Sequence, residues 1–356
     1  MASQEQLSFD KASAWPSGLS MWTVFLCTCL LAAGAFLVVR YVHAPKIEHA
    51  VPYSVEVPPQ LAGDYQWDVK GKRPKADSPE VIGSRIYPRC PADGRSLGPP
   101  IEPADPSDID AAITAAASAQ LRWAETTFAE RRRVLQTLLR YILDHQEEIV
   151  AACCLDSGKT KIDACFGEIL VTVEKLQWTI KHGQRALVPS RRPTNLLMSY
   201  KSNTVIYEPL GVVAACVSWN YPFHNFISPV ISALFSGNAI VVKPSEQTCW
   251  STSYFLKLIR GALHACNHSP MLVQNIICLP QSADYLTRHP GVSHITFIGS
   301  KDVAHKVCAS AAKVLTPVTV ELGGKDPVIV HDDSKTVAAL QDVASILMRG
   351  VFQSGQ

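Results

Sequence analysis

Apolar and polar residues divide the chain into three parts. Residues 21–39 are uncharged and apolar, residues 40–84 are rich in proline, and from about residue 85 apolar residues recur with helical and strand periods. A helix over residues 21–39 has a length close to the roughly 30 Å hydrocarbon core of a bilayer. The pattern predicts a tail over residues 1–20, a transmembrane helix, an extended linker and a folded body.

A cleaved signal peptide is the alternative interpretation of the apolar segment, because residues 33–35 read Ala-Gly-Ala. The apolar run nevertheless continues to Val39, and Lys11 is the single basic residue before it. Arg40 and Lys46 follow the segment, and this charge bias places the folded body in the cytosol. We therefore predict a single-pass membrane protein with its folded body facing the cytosol, and we expect its location to be the endoplasmic reticulum.

The body has the pattern of an α/β fold. Asp105 before Pro106, and Thr127 with Glu130, are N-cap signals of two helices, and a third helix is expected over residues 163–186. Further on, strands are predicted at residues 204–207, 211–218, 239–242, 275–279, 295–297 and 318–320, and helices at residues 223–236, 248–264 and 301–313. This alternation predicts a doubly wound, Rossmann-like parallel sheet with helices on both faces.

Composition narrows the classes of function. Of the 356 residues, 47% are hydrophobic and 18% are charged, which suits a protein with a substantial core. The net charge of +2 gives no electrostatic case for binding nucleic acid. The eleven cysteines are scattered without a paired framework, so we predict free thiols in a reducing compartment and no metal site.

One apparent nucleotide motif does not meet its own requirements. Residues 157–160 read Ser-Gly-Lys-Thr, which is the end of a phosphate-binding P-loop. Cys153 stands where that loop needs its first glycine, whose backbone wraps the phosphate. We interpret this segment as a glycine break between helices.

Polar residues follow several of the predicted strands where each strand ends. Asn220, in the sequence Trp-Asn-Tyr-Pro, is placed to donate to a developing oxyanion, although asparagine is also a common turn residue. Lys243 and Glu246 suit the two hydroxyls of a ribose, and a surface ion pair is the equal alternative. Gly299 and Ser300 open a helix, whose N–H groups and dipole favour a phosphate.

A further strand ends at Glu321 and Leu322, in the sequence Glu-Leu-Gly-Gly-Lys. The order Trp-Asn-x-Pro, Lys-Pro-Ser-Glu, Phe-x-Gly-Ser and Glu-Leu-Gly-Gly-Lys resembles the aldehyde dehydrogenase superfamily over about residues 85–356. Together with its apolar N-terminal segment, the chain is similar to a membrane-anchored fungal and plant branch of that family.

The resemblance implies an NAD-binding domain over residues 85–320 and the start of a catalytic domain over residues 321–356. It implies that Asn220 is the oxyanion donor and that Glu321 is the general base that activates water. The cofactor-binding residues that it implies are Trp219, Lys243, Glu246, Gly299, Ser300 and Leu322. The carboxylate of Glu246 favours NAD, since the 2′-phosphate of NADP would meet a like charge, but NADP remains an alternative.

The chain ends with Phe-Gln-Ser-Gly-Gln at residues 352–356, and in the family a similar segment leads into the nucleophilic cysteine. Cys216 is expected to point into the sheet with a raised pKa, so it does not replace that nucleophile. We expect the family activity to be NAD(P)-dependent oxidation of a small-molecule aldehyde, in a homo-oligomeric full-length form. This chain is expected to be truncated just before the cysteine and inactive, and a non-catalytic, membrane-tethered nucleotide-binding or interaction protein is the alternative.

Overall fold

A computed structural model describes residues 25–31, 33–34, 49–65, 80–325, 327–331 and 338–352. The chain divides into two units, Met1–Glu48 and His49–Gln356, and the described residues of the first unit are helical. Within the described ranges, no helix has the length and apolar character needed to cross a membrane. Most of the predicted span at residues 21–39, and residues 353–356 of the expected approach to a nucleophile, lie outside the described residues.

Strands and α-helices alternate from Val212 onward, and a series of consecutive α-helices precedes this part of the second unit. The strands are β1 (Glu80–Ile82), β2 (Arg85–Tyr87), β3 (Ser190–Arg192), β4 (Asn203–Val205), β5 (Val212–Cys216), β6 (Ala239–Lys243), β7 (Val273–Asn275), β8 (His294–Gly299) and β9 (Val318–Leu322). The α-helices are α1 (Pro106–Ala124), α2 (Phe128–Asp144), α3 (Gln146–Ser157), α4 (Lys161–Ala164), α5 (Val171–Ala186), α6 (Pro222–Phe235), α7 (Cys249–Ala265), α8 (Pro280–Thr287), α9 (Lys301–Ala312) and α10 (Leu340–Phe352). A π-helical turn, Cys165–Leu170, joins α4 to α5.

Five parallel strands form the central sheet in the order β7-β6-β5-β8-β9. The chain moves outward from β5 to β7 and then returns to the other side of β5, so the predicted doubly wound topology is confirmed. Every residue of β5 is buried, which explains its uninterrupted apolar sequence, since central parallel strands are covered on both faces. Two antiparallel hairpins, β1-β2 and β3-β4, lie outside this sheet.

The predicted N-caps of α1 and α2 are confirmed. The Asp105 carboxylate accepts hydrogen bonds from the N–H groups of Ser107 and Asp108, and Thr127 forms a reciprocal capping box with Glu130. These caps begin the two helices where the sequence predicts them. Part of the proline-rich linker packs on the same helical layer, where the Tyr53 ring stacks on that of Tyr141 with centroids 4.6 Å apart.

The largest differences from the predicted elements lie at residues 163–186 and 273–287. The strand expected at residues 275–279 lies instead at β7, and Pro280 begins α8, where no helix was predicted. Pro280 occupies the first turn of that helix, where its fixed φ is favourable and its missing N–H has no consequence. The expected helix at residues 163–186 is divided by the π-helical turn, and α3 ends at Gly158, whose φ of 76° gives the left-handed C-cap.

Candidate functional site

The candidate site lies at the carboxyl ends of β5, β8 and β9, where the strand order reverses beside β5. In open α/β sheets, ligands bind in the crevice that forms at such a point. A cavity of about 400 Å³ occupies this crevice, and it is lined by Ser218, Trp219, Asn220, Tyr221, Asn225, Ile298, Gly299, Ser300, Glu321, Leu322 and Gly323.

Six of the eight predicted site residues meet in this one cavity: Trp219, Asn220, Gly299, Ser300, Glu321 and Leu322. The other two, Lys243 and Glu246, are not among its lining residues, because they lie at and just beyond the end of β6. Since β6 is the immediate neighbour of β5, the two places lie at the same edge of the sheet.

The side chain of Asn220 is oriented by two neighbours. The Ser218 hydroxyl donates to Asn220 Oδ1 at 2.7 Å, and Asn225 Nδ2 donates to the Ser218 hydroxyl at 3.0 Å. Asn225 comes from the first turn of α6, so the strand end and the helix hold this carboxamide together. With its oxygen accepting from Ser218, the amide nitrogen is the end of Asn220 that donates hydrogen bonds.

A buried ion pair that the sequence patterns did not indicate lies at the first turn of α6. Lys159 Nζ and Glu168 Oε1 are 2.5 Å apart, and their side chains are 5% and 0% exposed. Glu168 Oε2 accepts hydrogen bonds from the backbone N–H groups of Phe223 at 3.1 Å and His224 at 2.8 Å. Burial raises the pKa of the Glu168 carboxyl, and Lys159 and the two N–H groups oppose that rise.

The sequence around Glu168 contains one signal of a buried, paired carboxylate. It is the single charged residue between Asp163 and Glu174, in an otherwise apolar or uncharged stretch. A carboxylate in such a stretch needs a partner when the stretch is buried. Lys159 belongs to the segment interpreted as a glycine break, and no sequence pattern identified Glu168 as its partner.

Glu321 lies on β9, the edge strand of the sheet, and its side chain is exposed. It pairs in register with Ile298 of β8, and both residues also line a second cavity of about 330 Å³. Lys175 lines that second cavity and donates to the Ser228 hydroxyl at 2.7 Å. Burial lowers the pKa of Lys175, and the charge of Glu321 opposes this effect.

Lys243 and Glu246 form an ion pair of 2.9 Å, with side chains 12% and 30% exposed. Burial acts to raise the pKa of Glu246, but Lys243 and hydrogen bonds outweigh it and hold the pKa below its usual value. A partly buried cation and carboxylate at a strand end can receive the two hydroxyls of a sugar, and this geometry is equally that of a structural ion pair.

Helix α9 begins immediately after β8, with Ser300 as its N-cap residue. No side-chain hydrogen bond caps its first turn, so the N–H groups there are donors suited to a phosphate group. Gly299 precedes it, and a Cβ atom at this position would lie 2.8 Å from the Phe297 ring. A larger residue at this position would require the Phe297 ring to move.

Cys216 is the last residue of β5 and lies three residues before Trp219 in the sequence. It is 7% exposed, and burial raises its pKa to about 11, with Lys243 opposing the rise. The expectation of a buried thiol with a raised pKa is confirmed. Such a thiol has a negligible thiolate fraction near neutral pH and is a poor nucleophile.

The sequence profile of the Aldehyde dehydrogenase family matches residues 83–356. The chain belongs to this family. An aldehyde dehydrogenase-like protein of Schizosaccharomyces pombe is 54% identical over 273 residues, which are 77% of this chain and 51% of the relative. One of Saccharomyces cerevisiae is 52% identical over 314 residues, which are 85% of this chain and 48% of that relative.

Solved structures of this family show the same fold. The NAD⁺ complex of an aldehyde dehydrogenase from Bacillus cereus is 29% identical, with a TM-score of 0.65 over 73% of this chain and 52% of that one. The chain thus spans about half the length of the curated relatives it matches.

Proposed function

We propose that this chain carries the dinucleotide-binding half of an NAD(P)-dependent aldehyde dehydrogenase, which oxidises an aldehyde to a carboxylic acid. The observation that supports this most directly is the cavity where Asn220, Glu321 and the N-terminus of α9 meet. An amide donor, a carboxylate and a phosphate site are three of the groups that this reaction uses beside a nicotinamide and a nucleophile.

The residues present fit a dinucleotide. The uncapped first turn of α9 offers N–H donors to a pyrophosphate, and the pair Lys243–Glu246 offers a donor and an acceptor to a ribose. Trp219, 40% exposed in the cavity, provides an apolar wall for a nicotinamide ring. When bound, NAD(P) supplies the chemistry of hydride acceptance.

Two side chains of the cavity act on the substrate in this proposal. Asn220 donates from its amide nitrogen to the carbonyl oxygen as negative charge develops there, while Ser218 holds the other end of the carboxamide. Glu321, whose side chain is exposed at the cavity, acts as the general base. It takes a proton from the water molecule whose attack releases the carboxylic acid product.

We propose NAD as the preferred dinucleotide. Glu246 keeps its negative charge because its pKa lies below the usual value, and a 2′-phosphate on the adjacent ribose would be repelled. This argument depends on the ribose lying at Lys243 and Glu246, which is the assignment that the family resemblance implies.

We further propose that the reactive thiol is none of the thiols near this cavity. Cys216 is buried with a pKa of about 11, and Cys278 is buried with a pKa that burial raises to about 11. Neither thiol lines the cavity. Dinucleotide binding without turnover is therefore the activity expected of this polypeptide alone.

Calorimetric titration of the chain with NAD and NADP, beside an aldehyde turnover assay, tests these proposals. We expect NAD to bind about tenfold more tightly than NADP, and Glu246→Gln to narrow this difference. Glu174→Gln, which removes an exposed carboxylate of α5, is the matched control and keeps the preference. Absence of binding by either dinucleotide contradicts the proposed function, and turnover by this chain contradicts its inactivity.

For the rest of the molecule we propose a membrane anchor at residues 21–39, a location in the endoplasmic reticulum membrane, a cytosolic body and a homo-oligomeric full-length form. Support comes from the uncharged apolar run and from the excess of Lys and Arg after it. Extraction with alkaline carbonate separates an anchored protein from a cleaved one. Release of a shortened chain into the soluble fraction contradicts the anchor and favours the signal-peptide alternative.

A further inference from the structure

The turn between β5 and α6 carries Trp219 and Asn220 into the candidate site, and Tyr221 completes it before α6 begins. A loop presents a binding group accurately only when packing and hydrogen bonds hold its shape. The ring of Tyr221 is contacted by a separate segment of the chain, because Lys159 Nζ lies 4.1 Å from its centroid. A Cβ atom on Gly167 would lie 2.3 Å from its Cε1 atom, so the ring also lies directly on the backbone there.

The same segment, residues 159–168, also contacts the end of the turn that leads into α6. Glu168 receives the N–H groups of Phe223 and His224, the first residues after Pro222, and so fixes the first turn of α6. A carboxylate in this position satisfies donors that lack intrahelical partners, and it complements the positive end of the helix dipole. The ion pair with Lys159 joins this contact to the contact at Tyr221.

The cap of α6 differs from the other buried carboxyl cap at this edge of the sheet. The adjacent helix α7 has such a cap, in which Asp156 Oδ2 accepts from the N–H of Ser251 at 2.8 Å. No ion pair to Asp156 occurs within the part of the chain that the structure describes. At α6 the buried carboxylate is compensated by Lys159, and the same cation also contacts the Tyr221 ring.

We propose that Lys159, Gly167 and Glu168 are positioning residues that fix the turn of Trp219, Asn220 and Tyr221 in the shape that receives the ligand. None of the three lines the cavity, so they act through the turn and not by contact with the ligand. The ligand-binding consequence depends on the proposed dinucleotide function, whereas the effect on the shape of the turn does not.

The shape of the turn can be measured without any ligand. The seven tryptophans are labelled with 5-fluorotryptophan, and the ¹⁹F resonance of Trp219 is assigned by its loss in Trp219→Phe. Gly167→Ala brings a methyl group against the Tyr221 ring, and alanine favours a helical segment, so this variant is expected to fold. The double variant Lys159→Met with Glu168→Gln removes both charges together and leaves neither of them unpaired.

We expect the Trp219 resonance to shift or broaden in Gly167→Ala and in the double variant. The matched control is Asp156→Asn, which alters the corresponding cap of α7 and is expected to leave that resonance unchanged. We also expect NAD affinity to fall about tenfold in both test variants and less than about twofold in the control, because small displacements of positioning groups have large effects.

An unchanged Trp219 resonance in the two test variants overturns the proposal, as does an equal change in Asp156→Asn. If the unsubstituted chain does not bind NAD, the proposed function fails, and the ¹⁹F spectra still decide the positioning roles. If the resonance moves and NAD affinity does not, the turn is held as proposed but its shape is not what the ligand requires, which also overturns the proposal.

Discussion

Two helices begin at the same edge of the sheet, and each has a buried carboxylate at its N-terminus. Glu168 caps α6 and is paired with Lys159. Asp156 caps α7 through the N–H of Ser251, and no cation pairs with it among the described residues. Burial raises the pKa of Asp156 to about 7, with the hydrogen bonds from Ser251 opposing the rise.

The difference follows what each helix does at the site. Tyr221 and Asn225, at the start of α6, line the candidate cavity, whereas no residue of α7 lines it. The cap of α6 is part of a charged network that reaches the turn before the helix, so the more constrained end belongs to the helix whose first residues line the candidate cavity.

The largest effect is expected from Lys159→Met, which leaves Glu168 buried without its cation. We expect the free energy of unfolding to fall by about 3–5 kcal/mol, measured by urea denaturation at pH 8. Adding Glu168→Gln is expected to restore most of this loss, because the uncompensated buried charge is then gone. If both variants unfold at the same urea concentration as the unsubstituted chain, the two caps do not differ in their need for a cation.

Asp156→Asn tests the cap of α7, which has no paired cation among the described residues, through the pH dependence of stability. Because Asp156 has a pKa of about 7 in the folded protein and about 4 in the unfolded chain, the folded protein binds more protons between these values. The unfolding free energy therefore falls as the pH rises from about 4 to about 7, by at most about 4 kcal/mol, and then levels off.

Asparagine keeps an oxygen for the N–H of Ser251 and has no charge to bury, so Asp156→Asn is expected to lose this part of the pH dependence. Thermal unfolding of both proteins from pH 4.5 to pH 8 measures it. The stability of the variant relative to the unsubstituted chain should rise over this range. A constant difference across the range shows that Asp156 keeps an ordinary pKa.

Much of the fold was predictable because its signals are local. Asp105 and Thr127 mark helix starts by their own hydrogen-bonding ability, and the apolar run of β5 indicates a strand covered on both faces. Helix α8 was missed because its eight residues form only about two turns, too few for a clear helical period, and Pro280 was the main sign of its start. The topology followed from the alternation of strands and helices.

The site was predictable where parallel strands end, because their carboxyl ends meet at one edge. That rule, with the family resemblance, placed Asn220, Ser300 and Glu321 together before the structure did so. The role of Glu168 at α6 could not be predicted in this way, because the N–H groups that it accepts from are 55 and 56 residues away along the chain. No local pattern records such a contact.

The smallest effect is expected at the contact between Lys159 and the ring of Tyr221, which has no counterpart among the contacts described at the start of α7. A partly desolvated cation near an aromatic face contributes about 0.5–2 kcal/mol. Tyr221→Leu keeps an apolar side chain and removes the face, so we expect it to destabilise the unsubstituted chain by about 1 kcal/mol more than it destabilises Lys159→Met. A double-mutant cycle by urea denaturation measures this coupling energy. A coupling energy near zero means that Lys159 acts at α6 through Glu168 alone. The caps of α6 and α7 then differ in the presence of a cation and not in a contact with the turn before the helix.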